Sequence, residues 1–333
     1  MAPDGSSNTA AVTGAAGHVG GALVRELLAR GYRVRAMVSR DRRALKGLEL
    51  DEVQGDTTDP DSLDRLFDRD QVVYHLAALI SLDGDANPRL HEINVEGTRN
   101  VVQACLRRGV RRLVHFSSIH ALEPEPLDAM VDEGRPLQLR NAGALPYDRS
   151  KALAEAEVLA GAARGLDAVI LNPCGVVGPL DFKPSLLGDL LLGVCRQRLP
   201  ALVAGGFSWV DVRDVAEAGA QAASAGRGGQ RYILSGHWRT LQELAALVAR
   251  EAGVRPPRIT CPTWLARLGA PFAGAYSRVT GQRALYTSDS LRALVGYRHV
   301  ARDRAEQELA FRARPLEETA RDTVRWYRDM ELL

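Results

Sequence analysis

The sequence predicts an α/β chain built on a doubly wound parallel sheet, and three observations carry that prediction. A short apolar run, Ala10-Ala11-Val12, enters a glycine-rich turn and leaves it into Ala22 to Arg30, whose apolar residues fall at helical spacing and stop at Gly31. Strand-like and helix-like patterns then alternate through the first half, which a parallel sheet covered on both faces requires. Finally, 333 residues suffice for a full core and a smaller C-terminal part.

The first strand therefore covers Ala10 to Val12, and the helix after it starts in the glycine turn. Arg33 to Val38 reads as the second strand, Glu49 to Gln54 as the third and Gln71 to Leu76 as the fourth. A long amphipathic helix, Asn94 to Arg108, ends at Gly109 and leads to a fifth strand, Arg112 to Phe116. Pro146 marks the start of the next helix near Tyr147, and Asp167 to Leu171 is the strand that follows. Beyond Pro173 the pattern loosens, with Pro179, Pro184 and Pro200 around a helix at Leu186 to Arg196. A late strand, Arg231 to Leu234, and a helix, Leu241 to Ala252, precede a stretch of Pro, Gly and aromatic residues from about 255 to 300. The division expected is 1–178 for the sheet and 179–333 for a substrate-binding part interwoven with it.

Composition narrows the partners. A net charge of +2 gives no footprint for nucleic acid or an acidic membrane surface. Cys105, Cys174, Cys195 and Cys261 are scattered, with no C-x-x-C pair and no histidine cluster, so no metal site is expected and the thiols read as buried and reduced. Met1 to Thr9 is polar, without the apolar centre of a signal peptide, and no run is long enough to span a membrane. A soluble cytoplasmic protein is the expectation.

Two motifs carry chemistry. The turn places Gly14, Gly17 and Gly20 three apart, between a strand and a helix. Glycine lets backbone approach a pyrophosphate, and the helix start offers N–H groups and partial positive charge, so Gly14, Ala16, Gly17, His18, Val19 and Gly20 are candidate phosphate contacts. Tyr147 and Lys151 lie four apart, on one helical face, in a chain with only three lysines. An unperturbed tyrosine, with a pKa of about 10, is a poor acid–base group at neutral pH until a neighbouring cation lowers it. Leu76, Ala77 and Ala78 close the fourth strand, where small residues let backbone pass close to a bound ribose. At the end of the second strand, Val38 stands where an acid would grip a ribose 2′-hydroxyl, and Ser39 and Arg40 follow. A guanidinium suits a 2′-phosphate, which favours NADP(H) and leaves NAD(H) possible.

The glycine spacing and the Tyr147–Lys151 pair together resemble the extended short-chain dehydrogenase/reductase superfamily, the NAD-dependent epimerase/dehydratase family, over almost the whole chain. Lys183-Pro184-Ser185 and Arg196 to Ala204 look most like dihydroflavonol-reductase-like members, and Ser117-Ser118-Ile119 like 3β-hydroxysteroid dehydrogenases. The resemblance implies a Rossmann-like fold and adenine contacts from Asp56 and Thr57 in the G-D-x-x-D segment. It further implies that Ser118 polarises the reacting oxygen, with Ser117 as the alternative register, and that Pro173 and Val176 lie under a nicotinamide. Asn94 matches another family position, as apt to pin backbone as to touch substrate, while His120 is expected to line the pocket or face solvent. The implied activity is NADP(H)-dependent reduction of a ketone or aldehyde, or oxidation of the alcohol, in a homodimer. The alternative is a sugar-nucleotide epimerase or dehydratase using NAD. Such epimerases carry an arginine for the substrate diphosphate where this chain has Phe207, and Phe182, Phe207 and Trp209 suggest an apolar pocket and substrate instead.

Overall fold

The structure is a computed structural model that describes residues 8–80, 87–141, 143–266, 291–292 and 294–333. Residues 1–7 of the N-terminal reading and 267–290 of the region expected to cap the substrate lie outside the described residues. In chain order the first half runs β1 (Thr9–Thr13), α1 (His18–Ala29), β2 (Arg33–Val38), β3 (Asp51–Gln54), α2 (Pro60–Leu66) and β4 (Val72–His75). A short α3 (Pro88–His91) enters a wide π turn over Glu92–Glu96, then come α4 (Gly97–Arg108), β5 (Arg112–Phe116), α5 (Pro146–Ala163) and β6 (Ala168–Pro173). The second half contributes β7 (Gly175–Val177), α6 (Leu186–Cys195), β8 (Ala201–Val203), β9 (Gly206–Asp211) and α7 (Val212–Ala222). It continues with β10 (Arg231–Leu234), β11 (His237–Thr240), α8 (Leu241–Ala252) and β12 (Ile259–Cys261), and a last helix spans Leu316–Asp329.

Seven strands form one sheet in the order β10-β6-β5-β4-β1-β2-β3, and every pairing in it is parallel. Buried Val, Leu, Ile and Ala fill these strands because both faces are covered. On one face α1 and α7 pack over Val12, Leu23, Val114 and Val215; on the other α2, α4 and α5 pack over Leu63, Val73, Val101 and Leu113. The chain leaves β1 toward β2 on one side and returns to β4 on the other, so a crevice opens at the carboxyl ends of β1 and β4.

The seventh strand comes from the second half, as does α7, so that half is woven into the sheet. It also builds its own layer: β11-β9-β7 form a small mixed sheet, and α6, α8 and the last helix bury Leu191, Leu244, Val248, Val324 and Tyr327. Trp209, expected in the pocket, is 1 % exposed and sits in this core with its indole N–H on the Arg239 carbonyl at 2.8 Å. Phe182 is likewise elsewhere, its ring edge-on to Trp326 and under the Arg25 guanidinium. Cys105 and Cys195 are buried thiols, whereas Cys174 and Cys261 are only half-buried.

Candidate active site at the carboxyl edge of the sheet

The glycine turn is held by close approach. Gly14 adopts φ +69°, and a Cβ there would stand 2.5 Å from the Ala77 amide nitrogen; on Gly20 it would meet the Gly14 carbonyl oxygen at 2.1 Å. Gly17 caps α1 without any side-chain bond to the helix start, which leaves first-turn N–H groups and the positive helix end facing the crevice. A cradle that a Cβ would fill, at an uncapped helix N-terminus, fits a nucleotide pyrophosphate. His18 spends its imidazole on the Pro179 carbonyl, Nε2 to oxygen 2.9 Å, and so ties α1 to the second half.

Under the turn, a hydrogen-bond chain fixes the β4 edge. Thr98 donates its one hydroxyl proton to the Asn94 carbonyl (2.6 Å), so it accepts from His75 Nε2 (2.9 Å). Thr13 then donates to His75 Nδ1 (2.8 Å) and accepts from the Ala77 N–H (3.4 Å). Burial and the charge of Lys151 lower His75 to about 3, so this imidazole stays neutral. Asn94 clamps the Leu79 backbone, accepting from its N–H (2.7 Å) and donating to its carbonyl (3.0 Å), and also donates to Ser150 (2.9 Å). Asn94 therefore pins backbone, and it does so from the π turn ahead of α4, not from the first turn of a regular helix.

Above lies a cleft of about 360 Å³. Gly14, Gly17, His18, Val19 and Gly20 of the turn line it, with Leu76 and Ala78. Ser117, Ser118, Tyr147, Lys151, Pro173 and Val176 line it as well. Ala16 lies within the turn and Ala77 directly against it, and neither side chain is among those lining the cleft. Ser39 and Arg40 are exposed further along the sheet edge, past β2. Arg42 pairs with Glu52 and Arg43 with Asp41, and among the described residues Arg40 has no carboxylate partner. Asp56, past β3, is exposed and accepts from the Thr58 N–H and hydroxyl, both at 2.9 Å. The Thr57 side chain is buried against Gly97, and its carbonyl accepts from Asn100.

The two serines separate cleanly. Ser117 donates to Glu155 (2.6 Å) behind the strand, while Ser118 accepts from the His120 N–H (3.2 Å). Burial pushes the Tyr147 phenol well above its usual range, Ser118 pulls it back, and Asp148 adds to the rise. Lys151 does not point at the phenol: its Nζ donates to the Phe116 carbonyl at 3.0 Å. Burial lowers it to about 8, with the Glu155 charge opposing that fall. Burial also lifts the Cys174 thiol to about 12, so it is no nucleophile.

The sequence reading missed the group behind this row. Glu155, fully buried, accepts from Ser117 and Asn172 and pairs with Arg231 of β10 at 2.8 Å. Asn172 also donates to the Ser118 carbonyl (3.0 Å). Glu155 lies one helical turn past Lys151, so the same four-residue spacing that paired Tyr147 with Lys151 could have found it. Among the described residues no group of three His, Cys, Asp or Glu could hold a metal ion, and no helix is long and apolar enough to cross a membrane.

A parallel sheet with a glycine cradle at its switch point and a Tyr–Lys helix beside it defines a pyridine-nucleotide oxidoreductase of the extended short-chain type. The chain belongs to the NAD dependent epimerase/dehydratase family, whose model matches residues 10–235. Sterol demethylase protein B of Methylococcus capsulatus is 36% identical over 332 residues, 98% of this chain and 100% of that one. The putative dihydroflavonol 4-reductase of Synechocystis is 33% identical over 325 residues, 96% of this chain and 94% of that one. Among solved structures, the dTDP-glucose 4,6-dehydratase DesIV of Streptomyces venezuelae with NAD bound superposes with a TM-score of 0.77 at 25% identity, covering 96% of this chain and 97% of that one.

Proposed function

We propose that the protein reduces a ketone or aldehyde on an apolar substrate, or oxidises the corresponding alcohol, with NADP(H) as the preferred cofactor. The observation that carries this is the convergence of Ser118, Tyr147 and Lys151 on the cleft that the glycine cradle opens into. Gly14 to Gly20 would hold the pyrophosphate, and Arg40 would meet a 2′-phosphate. Asp56 and Thr57 would lie at the adenine, and Pro173 and Val176 under the nicotinamide. When bound, the nicotinamide supplies or receives the hydride. Tyr147 holds the proton at the substrate oxygen; a phenol raised by burial keeps that proton until the oxygen takes on charge. Ser118 donates to the same oxygen, since its own proton is free while it accepts from His120. Lys151, one helical turn from Tyr147, supplies positive charge to the site and a donor for a ribose hydroxyl.

The wall beyond these groups favours an apolar substrate over a sugar nucleotide. Leu186, Leu190, Phe207 and Leu294 line it, and Phe207 stands where a diphosphate would need a cation. The two full-length relatives carry names that refer to a sterol and a dihydroflavonol, both polycyclic. The same reading makes the protein cytoplasmic and dimeric through α4 and α5. The test is a panel of ketones and aldehydes with NADPH consumption as readout, followed by Tyr147→Phe. That variant keeps the ring and the fold, and turnover of any substrate found should fall about 10²–10⁴-fold while NADPH affinity barely moves. Near wild-type turnover in the variant would refute the assignment.

A further inference from the structure

One residue of the second half reaches the catalytic row without entering the cleft. Arg231 opens β10, the edge strand of the seven, where it pairs with Ile170 of β6. Its side chain is only 14 % exposed. One guanidinium nitrogen donates to the carbonyls of Glu133 (3.2 Å) and Arg135 (3.0 Å), so the loop outside β10 fixes the group. The Glu133 carboxylate in turn accepts from the Ile233 N–H of β10 at 3.1 Å. Another nitrogen stands 2.8 Å from Glu155 Oε1, and the Glu155 side chain is fully buried. Taking both charges out of water costs as much as their attraction returns, or more. A pair this buried is therefore weak support for stability alone.

What the pair holds is the strand end that carries Ser118. Glu155 Oε2 accepts from Ser117 Oγ (2.6 Å) on β5 and from Asn172 Nδ2 (2.8 Å) on β6. The same amide nitrogen also donates to the Ser118 carbonyl at 3.0 Å, and the Ser117 N–H is on the Leu171 carbonyl at 2.8 Å. Ser118 is thus clamped in extended backbone, φ −160° and ψ 155°, at the start of the turn Ile119–Ala121, whose His120 lines the cleft. The last torsion of a glutamate is broad, so Oε2 keeps its two donors only while Oε1 is held. Arg231 supplies that hold, as the one cation within ion-pair distance of Glu155 among the described residues. Arg231, Glu155 and Asn172 all stand outside the cleft lining.

We infer that Arg231 is a positioning residue for Ser118. It fixes the Glu155 carboxylate, which fixes Ser117 and Asn172, and through them the serine that meets the reacting oxygen. Because β10 comes from the second half, a strand outside the nucleotide-binding half completes the catalytic row. The role rests on the assignment of Ser118 to the reacting oxygen.

The test is a double-variant cycle on the full chain, with NADPH and the ketone or aldehyde that wild type reduces fastest. Arg231→Gln should lower kcat roughly 10- to 100-fold, the scale of a catalytic group displaced by about 1 Å, while NADPH affinity barely moves. Arg231→Lys, which keeps a cation against Glu155, should recover most of that loss. In a Ser118→Ala background, Arg231→Gln should cost nothing further, because the group it positions is already gone. Losses that multiply in the double variant would mean that Arg231 acts elsewhere, and they overturn the inference. So does a fall in NADPH affinity that matches the fall in kcat, the mark of general damage. Should Arg231→Gln fail to fold, Ser117→Ala takes one donor from the same carboxylate and makes the same comparison, with a lower kcat alone and no added loss beside Ser118→Ala. Full turnover in Ser118→Ala would refute the serine's assignment first and take this inference with it.

Discussion

Lys151 is where burial and charge oppose each other most directly. Its ammonium is surrounded by Glu155 on its own helix, His75 on β4 and His115 on β5, with the Tyr147 phenol one turn before it. Burial and the Lys151 charge keep both histidines neutral, so Glu155 is the charge that holds the cation in place. The folded value, about 8, is below the ordinary 10.5. Between those two values the unfolded chain keeps a proton that the folded chain has lost, so stability rises with pH through that window. Activity runs the other way, because the cation is the active form: kcat/KM should fall as pH climbs through about 8, with the slope of one proton. Glu155→Gln removes the opposing charge and should move that fall to lower pH; an unmoved profile would mean that Lys151 does not set it. Arg40 gives a second single-residue outcome. If it holds a 2′-phosphate, Arg40→Ala should weaken NADPH binding by roughly 1.5–3 kcal/mol and leave NADH nearly unchanged, as titration of each cofactor would show. Equal losses would assign Arg40 to something both cofactors share.

At the scale of elements, the β1–α1 turn makes the sharpest demand on sequence. Gly20→Ala drives a Cβ into the Gly14 carbonyl, and neither side is a flexible side chain, so the turn must shift. Gly31→Ala also strains a positive φ, at +78°, but meets nothing within 4 Å. Both should lower stability, by about 1 kcal/mol for Gly31 and about 1–3 kcal/mol for Gly20, read out as a fall in melting temperature. Only Gly20→Ala should lose NADPH binding, and equal binding by the two variants would mean the cradle is not where the cofactor sits. The turn, Tyr147–Lys151 and the main strands were readable because each is a local pattern: β2, β5 and β10 fall on the residues that their apolar runs marked out. The π turn before α4 was not, because Asn94 widens the chain there by bonding backbone and side chains distant in sequence. Nor were β7, β9 and β11, three short strands whose pairing depends on partners tens of residues away. Glu155–Arg231 was invisible for that reason too, since it joins two elements that only the folded sheet brings together.

The whole molecule leaves α4 and α5 as the outer layer of one sheet face. They pack closely enough that a Cβ on Gly161 would stand 2.5 Å from Val102 Cγ1, and Arg99 bridges them to Glu157 at 2.7 Å. Away from the sheet, α5 presents Leu153, Ala156 and Ala160, all half-buried or exposed in the single chain, while Leu159 packs inward on the core. Small residues at that spacing let a second helix pair approach without displacing long side chains. Two copies joined there would form a four-helix layer, and α5 would then carry Tyr147 and Lys151 at one end and the interface along its length. Light scattering at micromolar concentration should therefore return twice the chain mass. Ala160→Glu places an unpaired charge in that layer and should shift the mass toward one chain. Because Ala160 faces away from the cleft, cofactor binding by the variant reports whether the active site needs the partner. A wild type that stays monomeric at those concentrations would rule out the α4–α5 interface.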